Sequence, residues 1–303
     1  MSGTIEDLDI APAITEPPEA AAGRRPLLDT LARASRLGRT RVGLGIWVLL
    51  LAIALLGPLV APHSPTEFVG APNQGPGGGL LFGADTLGRD VLSRFLSGGR
   101  SVIVLSLLAA GLGVGAGVTV GIVAAASKGR ADELIMRIAD VIMAFPQIIF
   151  VLLLLAGLGP HLWLIVLAVA FTHAPHTARV MRGAALDVVE RDFVRAAQAM
   201  GERRSRIMFG EILPNVTSTL LVEFGLRLTY SIALIAGISF LGFGLQPPSA
   251  DWGLMINENR LAIVEQPWAV LLPGLAIALL TVGTNLVTDG IARAYVGIDR
   301  RKG

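Results

Sequence analysis

The chain has no cysteine, only two tyrosines, and charge on only 16% of its 303 residues. Without cysteine there are no disulfides, thiolate metal sites or cysteine nucleophiles. Soluble domains carry about 25% charged residues. A chain with 53% hydrophobic residues and a mean hydropathy of +0.66 is too apolar for a water-soluble fold. Motifs are missing as well. No GxxxxGK followed by Ser or Thr occurs, so the loop that cradles nucleotide phosphates is absent. No HExxH appears, nor a Ser/His/Asp constellation inside the apolar runs, which disfavours a membrane-embedded hydrolase. His173 and His176 flank Pro175, but two imidazoles without a third carboxylate or thiolate make no metal site, and none is assigned.

What is present is a set of long apolar runs. Spanning a bilayer takes roughly 20 apolar residues, and six stretches qualify: Val42–Ala61, Ser101–Ala126, Leu134–Leu158, Leu162–Val180, Val216–Phe240 and Trp268–Thr288. Pro146 and Pro175 predict kinks in the third and fourth. Thr172, His173, His176 and Thr177 make the end of the fourth polar. The 36 glycines predict closely packed helices. Of the 25 Lys and Arg, only Arg89, Arg94, Arg100 and Arg260 fall on the opposite side from the rest, and Arg227 lies within a span. By the positive-inside rule both termini are cytoplasmic.

The chain divides into a tail (1–41), a first span with its external loop (42–100), and a five-span core (101–303) with a cytoplasmic hairpin at 187–214. The tail is rich in Pro, Ala, Glu and Asp up to about Gly23, a composition expected to be disordered. It precedes a run too long for a signal-peptide core, so the first span is expected to be retained. Leu27–Arg41 reads as a solvated basic flank or as a helix on the inner membrane surface. In the external loop, Asp85 is expected to cap a short amphipathic helix with Leu87, Val91, Leu92 and Phe95 on one side. Trp163, Trp252 and Trp268 are expected at the outer interface.

Two features stand apart. The first is DFVRAAQAMGERRSRIMFGEILPN, residues 192–215. Asp192 is expected to cap a short helix with Phe193, Val194, Ala197 and Met200 on its apolar face and Gly201 as its stop. Ala196 and Ala197 keep the helix flat enough for a partner's groove to approach. Ile207, Met208, Ile212 and Leu213 then anchor a second helix, and Pro214 sets the start of the fifth span. A short rigid helix lying across the spans transmits a push. The second feature is Glu223 and Arg227, four apart in the fifth span. They read either as lining a solute route or as a structural ion pair, since charge at membrane depth faces a bundle interior or a watery path.

Residues 192–215 resemble the EAA loop of ABC-importer permeases, in the order Ala196-Ala197, Gly201, Ile212-Leu213-Pro214. Three further stretches resemble the dipeptide/oligopeptide/nickel branch of that family: FGADTLGRDVLSRFLSGGR (82–100), SFLGFGLQPPSADWG (239–253) and NLVTDGIARAYVGIDRR (285–301). The matches run from about Val42 to Arg301. The resemblance implies an all-α, polytopic membrane protein with six transmembrane helices and the type I ABC importer permease fold, in a bacterial inner membrane. It implies a coupling helix (Asp192, Arg195, Ala196, Ala197, Gly201, Ile212, Leu213, Pro214) that docks on an ATPase. It also implies an external surface for a solute-binding protein, on which Asp85, Arg89, Asp90, Gln246 and Trp252 are the expected contacts. The implied partners are a second homologous permease, two ATP-binding subunits or domains, a solute-binding protein or lipoprotein, and membrane lipid, with no nucleic acid. ATP and Mg are expected on the partner chains. The branch's commonest cargo is a short peptide, with nickel, glutathione or another peptide-like solute as alternatives. A secondary transporter working without ATP is the rival of a different class. One residue departs from the pattern: Arg195 stands where the family usually has Glu before the Ala pair. With Asp192 as cap, that Glu would complete a capping box and Arg cannot.

Overall fold

The computed structural model describes residues 32–127 and 129–296. The expected disordered tail, the first five residues of Leu27–Arg41 and the last part of the C-terminal motif lie outside the described residues. Among the described residues, five uninterrupted helices are long and apolar enough to cross a bilayer. They are α1 (Gly38–Val60), α2 (Val91–Ser127), α5 (Leu162–Val189), α8 (Thr217–Phe240) and α10 (Trp268–Val296). The sixth span is a bent pair, α3 (Arg130–Met143) and α4 (Gln147–Leu158), turned by 78°. The break falls at Pro146, which has no N–H to give the helix and pushes Phe145 away from helical geometry. Pro175 does not break α5, which continues through it and nine residues beyond the expected end at Val180. The polar end of that span faces the bundle, where Thr172, His173 and Thr177 are buried.

Shorter helices complete the order. α6 (Asp192–Ala199) and α7 form the expected hairpin between α5 and α8. α7 runs from Arg204–Arg206 through a π-helical stretch, Ile207–Ile212, into Leu213–Asn215. At the opposite end of the bundle, α9 (Trp252–Asn259) bridges α8 and α10. α1 begins and α10 ends at the hairpin end, since Thr40 meets Gly290 there.

α2 and α5 make the tightest pairing. Gly113, Gly117 and Gly121 recur every four residues on α2 and face Ala170, Ala174 and Ala178, spaced the same way on α5. A Cβ on Gly113 would sit 2.9 Å from the carbonyl oxygen of Ala170, and one on Gly117 2.6 Å from that of Ala174. Small residues on both sides let the backbones touch, which is how helices associate where lipid offers no hydrophobic gradient. α1 and α10 meet in the same manner, with Gly43 against the Gly283 carbonyl.

The short helix expected after Asp85 does not form as a separate element. Residues 84–90 make a turn with isolated bridges, and α2 starts at Val91. Gly88 has φ +81°, a conformation that interrupts a helix and that glycine adopts at little cost. Asp90 serves as the cap, its Oδ2 accepting from the Ser93 N–H at 3.1 Å and its hydroxyl at 2.5 Å. Asp85 instead accepts from the N–H groups of Leu87 and Arg89, both at 2.9 Å.

Candidate functional site: the hairpin and the polar seam beside it

The hairpin is cemented on one side. Val194, Ala197, Ile207 and Ile212 pack with Ile122 and Ala125 of α2, Met181, Ala185, Val188 and Val189 of α5, and Val216 at the start of α8. Met208 and Leu213 lie against the same cluster. Gly201, at φ +76°, ends α6. The Glu202 N–H donates to the Ala197 carbonyl and the Gly201 N–H to that of Gln198, both at 3.1 Å. That pair of bonds is a Schellman stop. The other side is bare: Phe193, Arg195, Ala196 and Met200 are exposed.

Several expectations change here. Arg191 occupies the cap position and Asp192 the first turn, with no side-chain capping bond. Arg195 therefore lies one position beyond where a capping-box residue would sit, and the loss of Glu there costs no cap. Ala197 is 4% exposed and belongs to the hairpin's own core. The face open to a partner runs through Phe193, Ala196 and Met200, with Arg195 beside it. Ile212 is likewise buried, whereas Pro214 is exposed.

α5 enters the hairpin and α8 leaves it, and a polar seam joins these two spans. The Thr177 hydroxyl of α5 donates to Glu223 Oε1 of α8 at 3.1 Å. His173 Nε2 and the Ser231 hydroxyl lie 3.0 Å apart. Arg227 Nε donates to Glu223 Oε1 at 2.7 Å, and its guanidinium carbon sits 5.3 Å from the Tyr230 ring centre. Glu223 is buried, and its ion pair with Arg227 lies within α8 and meets α5 through the Thr177 hydroxyl. Sequence reading paired Glu223 with Arg227 but missed Thr177 and Ser231. Their signal was a polar residue at helical spacing on each facing span. On the α5 side near the hairpin, Arg182 holds Asp132 of α3 through two 2.5 Å bonds.

At the far end, the residues expected to meet a binding protein are mostly interior. Asp85, Arg89 and Arg94 are buried and form a charge cluster with Glu258 of α9. Arg89 reaches Asp85 at 2.7 Å and Glu258 at 2.8 Å, while Arg94 reaches Glu258 at 2.7 Å and Asp85 at 3.5 Å. Glu258 was not singled out from sequence. Asp90 is spent on the α2 cap and lies 3.5 Å from His63. Trp252 is fully buried, stacked on Phe95 with its N–H donating to the Phe95 carbonyl at 2.9 Å. It is a core anchor, unlike Trp163 and Trp268, which are exposed as an interfacial indole should be. Asp251 caps α9 through the Leu254 N–H at 3.0 Å and also accepts from the Ser101 hydroxyl. Burial pushes its carboxyl above the usual carboxylate range, against the hydrogen bonds that hold it down. Gln246 alone of the expected contacts remains exposed.

Five unbroken helices and a bent pair, with a braced hairpin between two of them, define a multi-pass helical membrane protein. The model of the family "Binding-protein-dependent transport system inner membrane component" matches residues 117–297, and the chain belongs to that family. It is an ABC-importer permease subunit of the dipeptide/oligopeptide/nickel type. A glutathione transport system permease protein of Pectobacterium atrosepticum is 37% identical over 256 residues, covering 84% of this chain and 85% of that protein. A di/tripeptide transport system permease protein of Pseudomonas aeruginosa is 36% identical over 259 residues, 83% of this chain and 86% of its own. A putative peptide transport system permease protein of Brucella suis is 37% identical over 270 residues, 89% and 91% of the two chains. Among solved structures, the MetNI methionine ABC transporter in inward-facing conformations is similar in fold, with a TM-score of 0.52 at 16% identity. The match covers 69% of this chain and 97% of that one.

Proposed function

We propose that this chain forms half of the translocation path of an importer for short peptides, and that its hairpin takes up the motion of separate ATP-binding subunits. A second, homologous permease completes the path, and an extracytoplasmic binding protein delivers cargo to the end that carries α9. The hairpin and both termini face the cytoplasm. ATP and its magnesium belong to the partner chains. The observation that carries the reading is the two-sided hairpin, fixed to α2, α5 and α8 on one face and bare on the other through Phe193, Ala196 and Met200.

The geometry supports a simple transmission. Closure of the ATPases displaces α6. Because Val194 and Ala197 are embedded among residues of α2 and α5, those spans follow, and the Gly113–Gly117–Gly121 contact makes them move as one block. α8 is attached through α7, a less regular connection with a π-helical turn. The seam between α5 and α8 is therefore where relative movement appears.

Peptide cargo is supported by the di/tripeptide and peptide permeases among the relatives, and the glutathione permease keeps a modified tripeptide within the same chemical class. The test is uptake by proteoliposomes containing this chain, its permease partner, the ATP-binding subunits and the binding protein. Labelled dipeptide should accumulate only with ATP and Mg present. Accumulation by this chain alone, or driven by an ion gradient after ATP depletion, refutes the reading.

A further inference from the structure

We infer that Arg227, framed by Tyr230 and held by Glu223, is a transit site for the carboxylate of the cargo, and that the hairpin sets its geometry. The inference rests on the importer reading and adds what the path recognises.

Depth is the first argument. At about 1.5 Å per residue, the 24 residues of α8 span about 36 Å, and Arg227 stands about 15 Å from the hairpin end. A guanidinium at that depth is costly unless it faces water or a counter-charge. Glu223 supplies a counter-charge, but only Nε is used on it. Neither Nη1 nor Nη2 has a hydrogen-bond partner among the described residues. The side chain is 12% exposed, and Tyr230, whose ring centre lies 5.3 Å from the guanidinium carbon, is 55% exposed. Two parallel N–H donors at a fixed orientation match a carboxylate in bidentate fashion. Glu223 is held in turn by Thr177, so it orients the arginine and cancels its charge when no solute is present.

Control is the second argument. The contacts that fix Glu223 and Ser231 come from Thr177 and His173 on α5, the span that enters the hairpin. Sliding α5 against α8 changes the support of Glu223, and with it the aim of the free guanidinium donors. A site that releases its anion when the hairpin moves is what unidirectional passage requires.

The cysteine-free chain permits a direct test in the assembled transporter, purified with its partners in nanodiscs. Tyr230→Cys, with Leu226→Cys as a second reporter, is labelled with 2-sulfonatoethyl or 2-(trimethylammonium)ethyl methanethiosulfonate. The anionic reagent should react faster than the cationic one by about tenfold or more, the lower range of field focusing in a cleft. Adding Arg227→Gln should abolish that preference and Arg227→Lys should retain it. A dipeptide with a free carboxyl should slow labelling, and its C-terminal amide should not. Unreactive cysteines at both positions, or rates indifferent to reagent sign or to Arg227→Gln, overturn the proposal and leave the pair as a structural pin. Equal protection by acid and amide also overturns it. ATP-dependent uptake, measured on the same preparation before labelling, reports separately on the importer reading.

Discussion

Replacing Glu258 by glutamine removes the carboxylate that Arg89 and Arg94 reach at 2.8 and 2.7 Å. Two guanidiniums then face Asp85 alone, in a site where Asp85, Arg89 and Arg94 are all at least 98% buried. Breaking a buried pair from one side costs about 3–5 kcal/mol, because it strands charge away from water. At about 1.4 kcal/mol per decade, opening of the 84–94 segment should become a hundred- to a few-thousandfold more frequent. Amide hydrogen exchange in nanodiscs reads that opening directly, since protection of a local unit follows its opening free energy. The helices near the hairpin should be unaffected. The double variant Arg94→Met with Glu258→Met leaves Asp85 and Arg89 as a matched pair, so its cost should be smaller than that of Glu258→Gln. Exchange in Glu258→Gln within about threefold of the native protein would refute the claim that the cluster fastens the loop to α9. A double variant as labile as the single would refute the charge accounting.

Gly117→Leu should force α2 and α5 apart and lower thermal stability in nanodiscs, at a cost of about 1–3 kcal/mol or more. Gly115→Ala, where nothing lies within 4 Å of the added carbon, should be tolerated. Trp252→Ala should cost about 3–5 kcal/mol by emptying the site against Phe95, whereas Trp163→Ala on the exposed surface should cost little by the same assay. Asp251 yields a pH dependence. Its folded-state pKa is raised by burial, so the folded form holds the proton more tightly and stability falls as pH rises from about 4 toward the folded value. Asp251→Asn should flatten that slope in melting curves taken across the acidic range; an unchanged slope would assign it to other carboxylates.

The spans were legible because burial in lipid demands long apolar runs, and all six positions are recovered within a few residues at most ends. The hairpin was legible from its turn chemistry, with Gly201 stopping α6 as its type allows. Its orientation was not. Phe193, Ala196 and Met200 form one helical face and Val194 with Ala197 another, and the small size of alanine leaves the choice to tertiary packing. The Asp85–Arg89–Arg94–Glu258 cluster was hidden for a different reason. Its members are 164 or more residues apart across the contact to Glu258, and periodicity carries no information about such pairing. In sequence Asp85 and Asp90 stand beside Arg89 and Arg94 as local partners, so nothing pointed across to Glu258. Trp252 looked interfacial by type, yet the Gly98–Gly99 pair that makes room for its ring was already in the sequence.

Transport by this chain, as proposed, requires that the ATP-binding partner grip the bare face of α6. Single cysteines at Ala196, Met200 and Ala197 can be crosslinked in the intact transporter with a short bifunctional thiol reagent. Adducts to the ATP-binding subunit are expected from Ala196→Cys and Met200→Cys, changing in yield when ATP is added, and almost none from the inward Ala197→Cys. Adducts from Ala197→Cys alone, or adducts to that subunit from Gln246→Cys at the opposite end, would contradict it.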